Sequence, residues 1–180
     1  MRKTMKSLAG ILVLLLVMAA AGIGTYFYLE AKNTPSGGKS TLSVKKSDSK
    51  GRQAFIEVEE KRTQPVAKEF PFSMPEVEVQ NALHGMTHQK ITAEDKWGFL
   101  PMTDERVKRL LLVVKRNEMN YEHDPVYMEM LKRWEQHDFS LVDKDHNTIW
   151  KLQGGTVGEA TGIMTLEEEE TFIKEHYQTE

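Results

Sequence analysis

The pattern of apolar and polar residues divides the chain into three parts. From Leu8 to Leu29, "LAGILVLLLVMAAAGIGTYFYL", no charge interrupts 22 residues. As a helix rising about 1.5 Å per residue this run would span about 33 Å, one hydrocarbon core. From residue 30 to 53 Ser, Lys, Gly and Thr dominate, and Leu42 and Val44 are the only large aliphatic side chains. Such a composition cannot offset the entropy of ordering, so the segment reads as a flexible linker, continued to residue 69. Alternation in Ile56 to Glu59 suggests a strand there, while Pro65 and Pro71 interrupt any long element.

Beyond residue 70 the apolar spacing becomes helical. Val79, Ala82, Leu83 and Met86 follow at i, i+3, i+4 and i+7 after Ser73, a cap with Glu76 at the capping-box position, and predict a helix over 74–86. Thr103 caps a second helix ending near Asn117, with Val107, Leu110, Leu111 and Val114 inward and Leu112 and Val113 widening the stripe. Asp124 and Pro125 open a third, with Tyr127, Met130, Leu131 and Trp134 on one face. Ser140 with Asp143 opens a fourth, carrying Val142, His146, Ile149 and Trp150 and ended by Gly154. Thr165 with Glu168 opens a fifth, with Leu166, Phe172, Ile173 and Tyr177 inward. The predicted fold class is mainly α: one N-terminal transmembrane helix, a flexible linker and a small domain of about five amphipathic helices. The boundaries are 1–7 for a basic N-terminus, 8–29 for the anchor, 30–69 for the linker and 70–178 for the helical domain.

Charge changes the picture in two ways. Arg2, Lys3 and Lys6 precede the apolar run, so the positive-inside rule puts the N-terminus in the cytoplasm and the domain outside a cell membrane crossed once. Tyr26, Phe27 and Tyr28 fall where rings favour the headgroup layer. A cleaved signal peptide is the alternative, since "AAA" at 19–21 suits a small-x-small cleavage site; the run continuing to Leu29 favours a retained anchor. Residues 65–180 hold 13 basic and 22 acidic residues. That acidity argues against nucleic acid as a partner. The expected partners are membrane lipid through residues 8–29 and an envelope protein or wall polymer.

The chain has no cysteine, which removes disulfides, thiolate zinc sites and a cysteine nucleophile. "LPMTD" at 100–104 has Asp104 where a sorting signal needs Gly, and reads as a proline turn into the Thr103 cap. "DKDHN" at 143–147 begins like a calcium loop, but Thr148 and Gly154 replace two required features, leaving the polar face of a capped helix. His84 and His88 have the spacing of a helical zinc pair, yet Gly85 stands where a metalloprotease keeps its glutamate, so they are expected as exposed helix-end residues. His146 is expected as a hydrogen-bonded core histidine. In "GGTVGEATG" the glycines at 154, 155, 158 and 162 lack a P-loop lysine and are read as packing and turn residues. Neither a cofactor nor a metal is expected. Asp145, His146 and Glu159 are the candidate binding residues. A non-enzymatic binding or regulatory module is the leading function, with a tethered envelope hydrolase using Asp145 and Glu159 as the alternative.

The run "KWGFLPMTDERVKRLLLVVKRN", the segment Tyr127 to Trp134 and "HNTIWKLQGGTVGEATGIMTLEEEETFI" together resemble a domain-of-unknown-function family of small membrane-anchored proteins in Bacillus-type Gram-positive bacteria. The resemblance covers about residues 86–178 and implies location and domain limits, with no catalytic residue to carry over.

Overall fold

The computed structural model describes residues 41–47 and 54–177. The apolar run at 8–29 lies outside them. Among the described residues no helix is long and apolar enough to cross a membrane.

Strands β1 (Thr41–Ser47) and β2 (Phe55–Lys61) form an antiparallel hairpin with Val44 opposite Val58. It is followed by the single-turn helix α1 (Val66–Glu69) and by α2 (Glu76–Thr87). A two-residue strand β3 (Ile91–Thr92) leads to α3 (Asp104–Arg116), α4 (Asp124–Glu135) and α5 (Val142–Leu152). Strand β4 (Gly162–Ile163) pairs antiparallel with β3, and α6 (Leu166–His176) follows. The described residues are thus mainly helical, and all five long helices predicted from periodicity are present.

Several expectations need correction, the linker first. The linker expected over 30–69 contains the hairpin and α1, because Leu42, Ile56 and Val58 are buried with Ile173 in a second, smaller core, with Val44, Leu166 and Tyr177 beside them. Too few apolar residues for a core of their own suffice when α6 supplies the opposing face. The second concerns caps. Thr103 accepts from the Arg106 amide and Thr165 with Glu168 forms a full capping box, as predicted. Ser73 does not cap α2: Pro75, fixed at φ −66°, takes the N-cap position. Glu76 instead accepts from the amides of Glu122 and His123, serving the start of α4.

The main core gathers α2, α3, α4 and α5 around Tyr127, Trp134, Leu83, Met86, Leu110 and Ile149. Each such side chain is worth about 1.5–3 kcal/mol of burial. Helix α3 lies along α4, and α2 along α5. Leu112, expected within the α3 stripe, is 54% exposed, whereas Arg106 is buried. Arg106 is tolerated there because Glu60 (2.7 Å), Glu69 (3.2 Å) and the Pro101 carbonyl (2.9 Å) meet its guanidinium.

Candidate functional site

The packing of α2 on α5 creates a corner lined by three histidines. His84 and His88 are four residues apart on α2 and at its C-cap, so one helix face carries both. His146 projects from α5, and its ring centroid lies 4.5 Å from that of His84 and 5.3 Å from that of His88. One ligand atom from each ring can be chosen so that all three lie within 4.8 Å of one another. His88 and His146 are buried and His84 is half-buried. The expectation of exposed helix-end histidines is therefore overturned: α5 and the segment after β3 cover that end of α2.

The segment after β3 packs over Gly85, between the two α2 histidines. A β-carbon there would stand 3.4 Å from Leu100 Cβ and 3.5 Å from the Gly98 carbonyl. The Leu100 amide donates to the Gly85 carbonyl at 3.2 Å, and Gly98 holds φ +78°. This approach puts the Gly98 carbonyl 2.6 Å from His88 Nδ1. Across the corner, Gln153 Oε1 lies 2.5 Å from His84 Nδ1, and Gln153 Nε2 donates to Asn81 Oδ1, which fixes the amide's orientation. His146 Nδ1 meets Thr87 Oγ1 at 2.9 Å and its Nε2 faces the Gly158 carbonyl at 3.1 Å. Thr87 Oγ1 also donates to the His84 carbonyl at 2.6 Å.

Burial disfavours the charged imidazolium at all three positions. It pushes His88 down to about 3, with the neighbouring His84 adding to the effect. It pushes His146 down to about 4, again helped by His84, and lowers His84 itself. Lys96 donates to the carbonyls of His88 and Ile91 and lies over the Phe172 ring; burial lowers it to about 8. The corner is therefore a set of neutral nitrogen bases.

Of the residues singled out in the sequence, the structure brings His146 into this corner and sends Asp145 elsewhere. Asp145 is buried, with Oδ2 accepting from Trp134 Nε1 at 2.9 Å and Oδ1 paired with Arg133. Burial raises its carboxyl, against the pull of Trp134 and Arg133. Glu159 is exposed in the loop between α5 and β4. The "DKDHN" stretch is helical, and Asn147 accepts from the Ala160 amide at 2.8 Å while donating to its carbonyl at 2.9 Å. Two of the four glycines read as turn or packing residues, Gly154 and Gly158, hold φ +70° and +86°, and Gly155 packs against Trp150, whereas a β-carbon on Gly162 would meet open space. A β-carbon on Gly158 would stand 2.5 Å from the Asp95 carbonyl oxygen, so the loops bearing Trp97, 73% exposed, and Val157, 48% exposed, pass close to each other here. The i, i+4 histidine pair was visible in the sequence, and His146 was singled out by itself; nothing in the sequence joined His146, on another helix, to that pair.

The model of a family of unknown function (DUF6241) matches residues 83–174, just over half of the 180-residue chain and all three histidines of the corner. No curated protein and no solved structure matches.

Proposed function

We propose that this chain, which belongs to the family of unknown function DUF6241, is a membrane-tethered extracytoplasmic module that acts by binding and not by catalysis. The tether is residues 8–29, whose uncharged run follows Arg2, Lys3 and Lys6. Membrane lipid is its partner there, and an envelope protein or wall polymer is the partner of the acidic domain. A Bacillus-type Gram-positive setting, which the sequence resemblance implies, accords with a wall polymer at that face.

One observation carries the choice of binding over hydrolysis. A carboxylate pair for general acid and base needs both groups at one solvent-reached place. Asp145 has one oxygen on Trp134 and the other on Arg133, at 4% exposure, while Glu159 stands in solvent on a separate loop. Burial does move Asp145 in the direction a general acid needs. Its oxygens are nonetheless occupied. Trp97, an indole left in solvent, is a side chain of the kind that dominates interfaces.

Two measurements test the reading. Protease added to intact protoplasts removes the domain and leaves a small membrane fragment; full protection overturns the placement. Purified full-length chain incubated with isolated cell wall is retained without releasing soluble fragments. Release by the native chain and not by Glu159→Gln overturns the binding reading in favour of the hydrolase.

A further inference from the structure

We propose that His84, His88 and His146 form a binding site for one divalent first-row transition-metal ion, with zinc the ion the ligand set fits best. The inference goes beyond the binding role above and does not depend on the tether.

The argument starts from protons. A neutral imidazole carries one N–H, and the partner of one ring nitrogen decides which nitrogen keeps the lone pair. His88 Nδ1 faces the Gly98 carbonyl, which can only accept, so Nδ1 holds the proton and Nε2 the lone pair. His84 Nδ1 faces Gln153 Oε1, also an acceptor because Gln153 Nε2 is the group donating to Asn81. Its Nε2 is again the lone-pair nitrogen. Thr87 has one hydroxyl proton, which either the His84 carbonyl at 2.6 Å or His146 Nδ1 at 2.9 Å can accept. His146 Nε2–H donates to the Gly158 carbonyl at 3.1 Å; with the Thr87 proton on the His84 carbonyl, the ring proton can sit instead on Nδ1 against Thr87 Oγ1, which frees Nε2 as a ligand.

The three rings meet at one corner, with one ligand atom from each within 4.8 Å of the other two. Each ring is meanwhile oriented from behind by an outer partner, Gln153, Gly98 or Thr87, the arrangement that fixes tautomer and direction in histidine metal sites.

The donor set selects the ion. Neutral imidazoles suit zinc, copper, nickel and cobalt, whereas calcium and magnesium require several oxygens. Neutral rings also need no deprotonation before they bind. Tetrahedral zinc with nitrogen ligands at about 2.0–2.1 Å holds them about 3.3 Å apart. Ligand atoms now spread over as much as 4.8 Å draw in by side-chain rotation, chiefly of half-buried His84. The Gly158 carbonyl is placed to take a fourth position. An ion bound here joins α2 to α5 and to the loop that precedes β4.

The test uses the full-length chain in mild detergent, stripped with chelator and titrated with Zn²⁺ and with Co²⁺. The expected result is one ion per chain, tetrahedral cobalt absorption without a thiolate charge-transfer band, and a higher unfolding temperature with zinc. His84→Gln, at the most exposed ligand, weakens zinc on the order of 100-fold while the apo protein stays folded; Gln153→Ala, behind that ring, weakens it about 10-fold. His123→Gln, outside the corner, leaves affinity unchanged. Absence of stoichiometric binding overturns the proposal, and so does binding of native strength in folded His84→Gln. Should His88→Gln or His146→Gln fail to fold, the His84 and Gln153 variants still decide.

Discussion

The indole of Trp150 fills the space that a β-carbon on Gly155 would need: an added Cβ would lie 2.3 Å from Cε2 and Nε1 of the ring. The ring is half-buried and donates to the Val157 carbonyl at 2.8 Å, so it closes the loop after α5 from outside the main core. Three glycines of this loop then rank by cause. Gly154→Ala meets open space and carries only the penalty of φ +70°, about 1 kcal/mol. Gly155→Ala displaces the indole and its hydrogen bond, about 2 kcal/mol. Gly158→Ala combines φ +86° with a β-carbon 2.5 Å from the Asp95 carbonyl, a backbone atom that cannot swing aside, and is expected to cost most, about 3 kcal/mol or more. Thermal unfolding of the three variants beside the parent checks the order; equal losses would refute it.

How far the sequence led can be judged residue by residue. Helix positions followed from apolar spacing, and Thr103 and Thr165 act as caps where the local pattern placed them. His84 and His88 share a face because the 3.6-residue period requires it. His146 is 58 positions beyond His88, and only the docking of α2 on α5 brings them together. The buried charges were illegible for the same reason. Arg106 and Lys90 sit in the interior on account of Glu60, Glu69 and Glu169, partners far away in sequence. Leu42 and Val58 looked too sparse for a core because the face opposing them belongs to α6.

Lys90 and Glu169 form an ion pair at 2.6 Å, with side chains 3% and 5% exposed, and Gln89 donates to the same carboxylate oxygen at 2.9 Å. Removing one partner strands the other charge in a dry environment. Lys90→Met is expected to cost about 3–5 kcal/mol, and Lys90→Met with Glu169→Leu to recover much of that loss. Chemical denaturation of the two single variants and the double one measures the coupling. Additive losses would show that the pair is not coupled as the geometry requires.

The hairpin sets the limit of the folded unit. Glu60 on β2 holds Arg106 at 2.7 Å, and Leu42, Ile56 and Val58 cover Ile173. A chain beginning at residue 65 loses both, leaving Arg106 with Glu69 alone as its carboxylate partner and Ile173 uncovered. It is expected to unfold several kcal/mol sooner than a chain beginning at residue 38, by the removal of a buried ion-pair partner and a small core. Urea unfolding of the two chains decides; equal midpoints would return the hairpin to the status of a linker.

Stability should fall with acid, and the histidine corner fixes where. Folded His88 and His146 titrate at about 3 and about 4, His84 is lowered as well, and each titrates near 6.5 when unfolded. Lys96, Gln153, Thr87 and the carbonyls of Gly98 and Gly158 face the three rings, and none of these supplies a negative charge to hold an added proton. Below pH 6.5 the unfolded chain therefore binds more protons than the folded one, and stability rises with pH through that window. It is complete above pH 6.5 and declines as the pH drops toward 4. The decline is up to about 1.4 kcal/mol per pH unit for each of His88 and His146. Urea midpoints measured in chelator at pH 7, 6 and 5 should decrease step by step, with a shallower decrease in His146→Gln. A midpoint unchanged between pH 7 and pH 5 would mean that the rings accept protons in the folded state, and that the corner is not the neutral, buried cluster the geometry describes.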